Sequence, residues 1–318
     1  MTDWVLAADI GGTNIRGAAV SSAGDIVSRR QFKTEEVGGA EDAALRISGM
    51  LRAVRDETGV EPRATCLGTP GLIDADRGVV VIAPNLPIFR DFPLATTVEA
   101  SLGSPVYIEN DASAAALGEH RYGAGRGYRH LLHATLGTGI GGGLVLDGRL
   151  YRGAQGFAGE IGHIVIDTAG PACNCGNNGC LESLVGGIAF AERAQRLLRR
   201  GRSDTLAELV AGREPTSRDL FAAATKGCAA ARAEIQNGGH LLGTAFGSLA
   251  NVLNFEIVTL SGGLLAMGEL LLRPAREAIR ATAYGPAGGI PMVTSSLGEN
   301  AGLLGAAAVA LERAEAFD

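Results

Sequence analysis

The sequence predicts an α/β protein of two domains. Three observations carry that expectation. Short apolar runs bounded by glycine turns alternate with longer segments of helical spacing. A unit of strand, glycine turn, strand and hairpin turn occurs at the head of each half of the chain. And 318 residues exceed what a single core usually serves.

The elements follow in order. Val5 to Ile10 reads as a buried strand that breaks at Gly11-Gly12-Thr13-Asn14 and resumes as Ile15 to Val20. Turn residues at Ser21 to Asp25 lead to a third strand, Ile26 to Phe32, which completes an antiparallel meander. Glu41 to Glu57 has helical spacing, with Leu45, Met50, Leu51 and Val54 apolar. Short strands at Ala64 to Leu67 and Val79 to Ile82 flank the turn Thr69-Pro70-Gly71. A strand at Val106 to Ile108 runs into an alanine-rich helix, Asp111 to His120.

The pattern then restarts. His130 to Leu136 is a strand, followed by the glycine run Gly137 to Gly143, a strand to Leu146 and the hairpin turn Asp147-Gly148. A shift of 126 positions superposes Asp9-Ile10-Gly11 on Thr135-Leu136-Gly137. Internal duplication is the simplest account. Beyond a cysteine cluster the chain reads as helical from Leu181 to Asn254. A strand, Ile257 to Leu260, then ends at Ser261-Gly262-Gly263. A helix, a short strand at Met292 to Ser295 and a last helix from about Asn300 to Ala314 follow. We expect a smaller domain at 1–122, with a C-terminal helix at 300–318 packing back on it. A larger domain at 123–299 would carry the cysteine loop, and the boundary falls near Tyr122 to Gly127.

Composition narrows the function. There are 47 glycines, about 15% of the chain against a usual 7% or so, with no collagen period. The net charge of −6 argues against nucleic acid as the main partner. No apolar stretch is long enough to span a bilayer and no cationic leader opens the chain, so a cytoplasmic protein without a membrane partner is expected. Lys33 and Lys226 are the sole lysines, and neither follows a glycine loop, which excludes a Walker-type phosphate loop.

Three glycine turns end strands: Gly11-Gly12, Gly137 to Gly143, and Gly262-Gly263. Glycine there lets backbone N–H groups approach a phosphate closely, although any one of them alone is better read as a plain turn. A strand follows the Gly137 run, which rules out a dinucleotide fingerprint. Asp9 adds a carboxylate where a magnesium–phosphate would sit, and Thr13 and Thr138 add hydroxyls. His163, Cys173, Cys175 and Cys180 offer four zinc ligands within eighteen residues, with Gly170-Pro171 and Gly176-Asn177-Asn178-Gly179 making the turns. A closed shell of four protein ligands points to a structural zinc, a reading that outweighs buried free cysteines. Asp111 admits two readings of equal weight, a helix cap and a general base. Asn85, Glu160 and Glu182 stand at rigid turns, as a sugar site requires.

Six stretches together resemble the ROK family of bacterial repressors and sugar kinases. They are Asp9-Ile-Gly-Gly-Thr13, Leu67-Gly-Thr-Pro-Gly71, Glu109-Asn-Asp-Ala112, Leu136-Gly-Thr-Gly-Ile-Gly-Gly-Gly143, Gly159-Glu-Ile-Gly-His163 and Cys173-Asn-Cys-Gly-Asn-Asn-Gly-Cys-Leu-Glu182. The resemblance implies a two-domain, actin-like (ribonuclease H-like) ATPase fold with an interdomain cleft. It implies ATP-dependent phosphorylation of the 6-hydroxyl of a hexose, with Mg2+ and a structural Zn2+. Asp111 resembles the family's base. Gly71, Asn85, Asn110, Glu160, His163 and Glu182 look like its sugar contacts, with His163 also a zinc ligand. Gly11, Gly12, Thr13, Thr138, Gly139, Gly262 and Gly263 look like its nucleotide contacts, and Asp9 resembles the magnesium-associated carboxylate. The pattern looks most like the glucose-phosphorylating members, while kinases of N-acetylmannosamine, fructose and allose share most of it. Family members are commonly dimers or tetramers. The first glycine turn begins at residue 11, leaving no room for the DNA-binding segment of the family's repressors, which favours a kinase over a sugar-sensing regulator.

Overall fold

The computed structural model describes residues 3–316. Residues 1–2 of the expected 1–122 domain and 317–318 of the expected 300–318 helix lie outside the described residues. The chain divides into two compact units. One comprises Met1–His133, Gly143–Gly159 and Ser295–Asp318, and the other Ala134–Gly142 and Glu160–Thr294. Residues 123–133, 143–159 and 295–299, which the sequence reading gave to the larger domain, group with the first unit.

The first unit opens with the expected meander, β1 (Trp4–Ile10), β2 (Asn14–Ser21) and β3 (Ile26–Lys33), followed by α1 (Ala40–Thr58). Next come β4 (Thr65–Thr69), the short strands β5 (Leu72–Asp74), β6 (Val79–Ile82) and β7 (Arg90–Phe92), and α2 (Leu94–Leu102). Then β8 (Val106–Asn110) runs directly into α3 (Asp111–Tyr122). The main sheet has the order β3-β2-β1-β4-β8, and β5-β6-β7 form a small second sheet. β1 pairs antiparallel with β2 and parallel with β4, and β4 pairs parallel with β8.

Both faces of this sheet are covered, which explains why β1 is apolar without a break from Trp4 to Ala8. Leu6, Ala8 and Ile10 point into one core, with Ile47, Leu51 and Val54 of α1 and Leu94 and Val98 of α2. Val5 and Ala7 point into the other, with Leu117 of α3 and the C-terminal helix. The alternation has the two-residue period of a strand.

The repeat continues with β9 (Leu131–Leu136), β10 (Ile140–Leu146) and β11 (Arg149–Leu150). In the second unit the helices α4 (Leu181–Val185), α5 (Gly187–Arg199), α6 (Asp204–Val210), α7 (Ser217–Thr225) and α8 (Ala229–Leu253) follow the cysteine loop. They lead to β12 (Ile257–Ser261), α9 (Glu269–Thr282) and β13 (Met292–Thr294), and the chain ends in α10 (Ala301–Glu315). A five-stranded sheet has the order β11-β10-β9-β12-β13. In both five-stranded sheets the order is third, second, first, fourth, fifth strand, as duplication requires.

The structure gives a reason for the glycine pair Gly238-Gly239 in α8. Gly239, Gly243 and Gly247 lie four residues apart along α8, and a Cβ at any of them would collide with Leu271, Ala275 or Thr282 of α9. The stripe lets two helices pack at backbone distance. A Cβ at Gly238 would lie 2.5 Å from the Phe190 ring. A similar crossing joins α3 and α10, where a Cβ on Gly118 would sit 2.9 Å from Gly305. Among the described residues, no helix is long and apolar enough to cross a membrane.

Candidate active site

In the first unit, the junction of β8 and α3 is held by several hydrogen bonds. Asn110, not Asp111, caps the helix: its side-chain oxygen accepts the N–H of Ala112 and of Ser113, each at 3.0 Å. Its Nδ2 donates to the Gly71 carbonyl at 3.1 Å. Gly71 has φ +106°, and a Cβ there would fall on the Ile82 carbonyl, so glycine is required. Asp111 is the first helical residue, and its Oδ1 accepts the Ala112 N–H at 2.8 Å. Asn110 thus performs the capping, and Asp111 adds a bond to the Ala112 N–H.

Beneath this turn lies a brace that the sequence did not reveal. Glu109 is 2% exposed, and its Oε1 accepts the Asn110 N–H at 3.1 Å. Its Oε2 accepts Arg152 Nε at 2.7 Å, and Arg152 Nη1 donates to Glu312 of α10 at 3.0 Å. A buried carboxylate with two donors and a counter-charge holds the segment from below.

The first glycine turn is stitched to the end of β3. Gly11 N–H donates to the Asn14 carbonyl at 3.0 Å, and Thr34 Oγ1 donates to the Gly11 carbonyl at 2.7 Å. Gly12 and Thr13 are exposed, and a Cβ on Gly12 would lie 3.8 Å from the Asn85 carbonyl oxygen. That places the Asn85 turn beside the Gly11 turn. Asp9 ends β1. Burial raises its carboxyl above the usual range, with Arg16 pulling partly the other way. A Cβ on Gly302 of α10 would lie 2.5 Å from its Oδ2, so a glycine backs the carboxylate.

In the second unit, the other two glycine turns meet. Gly262 has φ +98°, and a Cβ there would overlap the backbone of Leu136, the residue before Gly137. Gly137 N–H donates to the Gly139 carbonyl at 3.0 Å, which closes the turn, and Thr138 at its tip is exposed. A pocket beside it is lined by Thr138, Cys173, Asn174, Glu182, Ile188 and Glu192.

His163, Cys173, Cys175 and Cys180 offer ligand atoms that all lie within 4.8 Å of one another. Cys175 and Cys180 Sγ are 3.6 Å apart, as are Cys173 Sγ and His163 Nδ1. Thiolates at about 2.3 Å and an imidazole at about 2.0–2.1 Å from a tetrahedral ion would be about 3.6–3.8 Å apart. The donor set therefore fits a four-coordinate metal. The loop is shaped for it: Cys173 N–H donates to the Asn177 carbonyl at 2.7 Å, and Gly176 and Gly179 take φ +95° and +65°. The other ring nitrogen, His163 Nε2, lies 3.9 Å from Glu160 Oε2. Glu160 is 42% exposed at its side chain, yet its carboxyl is pushed up, first by desolvation and then by the Glu182 carboxylate, against the pull of His163. Glu160, His163 and Glu182 are thus neighbours, and together they present acceptors and one imidazole nitrogen.

Asp9, the Gly11 turn, Gly71, Asn85, Asn110 and Asp111 therefore belong to the first unit. Thr138, Gly139, Glu160, His163, Glu182, the cysteines and Gly262-Gly263 belong to the second. A groove lined by Arg30, Phe32 and Met50 holds none of these groups.

The comparisons with known proteins bear on this arrangement. The model of the ROK family matches residues 5–313. The chain is 37% identical to a glucokinase of Thermotoga maritima over 316 residues, covering 97% of this chain and 98% of that one. In structure it is similar to a ROK hexokinase from Thermus thermophilus, with a TM-score of 0.86, 34% identity and coverage of 98% and 99%. It is also similar to a ROK family glucokinase from Streptomyces griseus in complex with glucose and AMPPNP. That match has a TM-score of 0.79, 33% identity and coverage of 97% and 99%.

Proposed function

The chain belongs to the ROK family, whose sugar kinases have the actin-like ATPase fold, and from that premise we propose that it transfers the γ-phosphoryl group of ATP to the 6-hydroxyl of glucose. The observation that carries the reading is the Glu109–Asn110–Asp111 turn. Asn110 does the capping, and Glu109 and Arg152 do the bracing. Asp111, the first residue of α3, would act as the base from a braced helix terminus. A sugar hydroxyl is a poor nucleophile at neutral pH, and a carboxylate in reach of its proton lowers that barrier. Asp111 accepts the proton of the 6-hydroxyl as the new O–P bond forms and ADP leaves.

Gly71, Asn85, Asn110, Glu160, Glu182 and His163 Nε2 would bind and orient glucose. Paired donors and acceptors at fixed turns suit a ligand whose every hydroxyl both donates and accepts. The backbone N–H groups of the Gly11, Thr138–Gly139 and Gly262-Gly263 turns would contact the nucleotide. Asp9 would hold Mg2+, which supplies neutralisation of the phosphate charge. Burial raises its carboxyl above the usual range, and a cation bound there would relieve the cost of ionising it. The ion in the cysteine cluster would be zinc, held by His163, Cys173, Cys175 and Cys180. With all four positions filled by protein its chemistry is structural: it fixes the loop that aims His163 Nε2 and starts α4. An assay coupling ADP formation to NADH oxidation tests the reading. Glucose-dependent ADP release with equimolar glucose 6-phosphate is expected. No hexose-dependent turnover would refute it.

A further inference from the structure

Glu182 has a second engagement, with the backbone of the turn that precedes β10. Its Oε2 accepts the Ile140 N–H at 2.8 Å, one residue after the Gly137–Gly139 turn. Two backbone bonds lace the same stretch to the start of α5: Gly187 N–H to the Gly137 carbonyl at 2.9 Å, and Ile188 N–H to the Thr138 carbonyl at 3.2 Å. Gly139 faces the carboxylate so closely that a Cβ would overlap Oε2. An exposed glycine turn has many accessible conformations, and a phosphate needs its N–H groups aimed at one point. A charged acceptor on the N–H at the exit of the turn fixes that aim, and bonds of this kind are about twice as strong as neutral ones.

We propose that Glu182 is a positioning residue for the nucleotide turn, its carboxylate holding Gly137–Ile140 in the conformation that receives a phosphate, independently of its contact with sugar. The inference rests on the reading of that turn as a nucleotide contact. It also couples the cysteine loop to the nucleotide, because Glu182 lies in α4, two residues after Cys180, the residue that precedes that helix. The side chain therefore serves sugar and nucleotide from one position.

The test measures the affinity of the whole chain for AMPPNP by calorimetry with no sugar present. Glu182→Gln keeps a neutral amide oxygen to accept the Ile140 N–H, so it should lose only about 2- to 3-fold in AMPPNP affinity. Glu182→Ala loses the acceptor and should bind about 10-fold more weakly or worse. A purely structural role would lower the folded fraction without splitting the two variants in this way. Should Glu182→Ala fail to fold, Gly139→Ala carries the test. Its Cβ displaces the carboxylate while Glu182 remains, and AMPPNP binding should again weaken. Parent-like affinity in Glu182→Ala or Gly139→Ala, or equal loss in Glu182→Gln and Glu182→Ala, overturns the proposal. A parent that phosphorylates glucose in those same preparations leaves the proposed function standing. A parent that binds no AMPPNP would remove the premise instead.

Discussion

Replacing Asp111 by alanine should separate catalysis from stability by a margin read from the structure. The cap of α3 survives, because both of its side-chain bonds come from Asn110. The helix loses the Asp111 Oδ1 bond to the Ala112 N–H and a carboxylate at its positive end, about 0.3–1 kcal/mol. Alanine returns a few tenths through its better helix propensity. The apparent Tm should therefore fall by no more than about 2–4 °C. Catalysis should lose far more: removing a general base costs about 10²- to 10⁴-fold in kcat, or about 3–5 kcal/mol of barrier. The assay is kcat at saturating glucose and ATP beside a thermal melt and a glucose titration. Sugar binding should largely persist. A variant within about tenfold of the parent kcat would refute the assignment of the base. So would a collapse of stability that accounts for the lost rate, since it would place Asp111 in the scaffold.

Three other outcomes follow. Gly243→Ala should destabilise by about 1–3 kcal/mol, because its Cβ meets the Ala275 backbone, whereas Gly49→Ala in α1, with nothing within 4 Å, should stabilise by about 0.5–1 kcal/mol; urea titrations of both check the sign. Elemental analysis should find about one zinc per chain in the parent and a large loss in Cys180→Ser, with a lower melting temperature; a metal-free parent that is fully stable and active would contradict the site. His133 is fully buried, and desolvation pushes its pKa down to about 4. Its folded value lies below the unfolded one of about 6.5, so the unfolded chain takes up a proton that the folded chain refuses. Stability should fall as pH drops from about 6.5 towards 4, by up to about 3 kcal/mol from this group. The slope should flatten in His133→Leu, and an unchanged slope would show that His133 is not responsible.

What the sequence made legible was local. β1 was readable because a strand buried on both faces carries an apolar run, here Trp4 to Ala8, and the Asp111 helix because alanine and a capping pair mark it. The cysteine loop was readable because its four donors lie close in the chain. Less visible were features that depend on distant partners. Val79–Ile82 was seen, but its three-residue neighbours β5 and β7 carry too few residues for a period. The glycines of α8 look like helix defects until α9 is placed against them. Arg152 and Glu109 are 43 positions apart, and nothing in their spacing pairs them. Glu182 was legible as a polar group at a turn, whereas its bond to the Ile140 N–H depends on how α4 meets the second glycine turn.

The central claim is that this chain phosphorylates a hexose. Its most direct test is product formation across a panel of glucose, mannose, fructose, allose and N-acetylmannosamine with ATP and Mg2+. Glucose should give the highest kcat/KM and glucose 6-phosphate as the product, with Asp111→Ala slower by about 100-fold or more in parallel. A panel in which no sugar raises ADP formation above background would contradict the account.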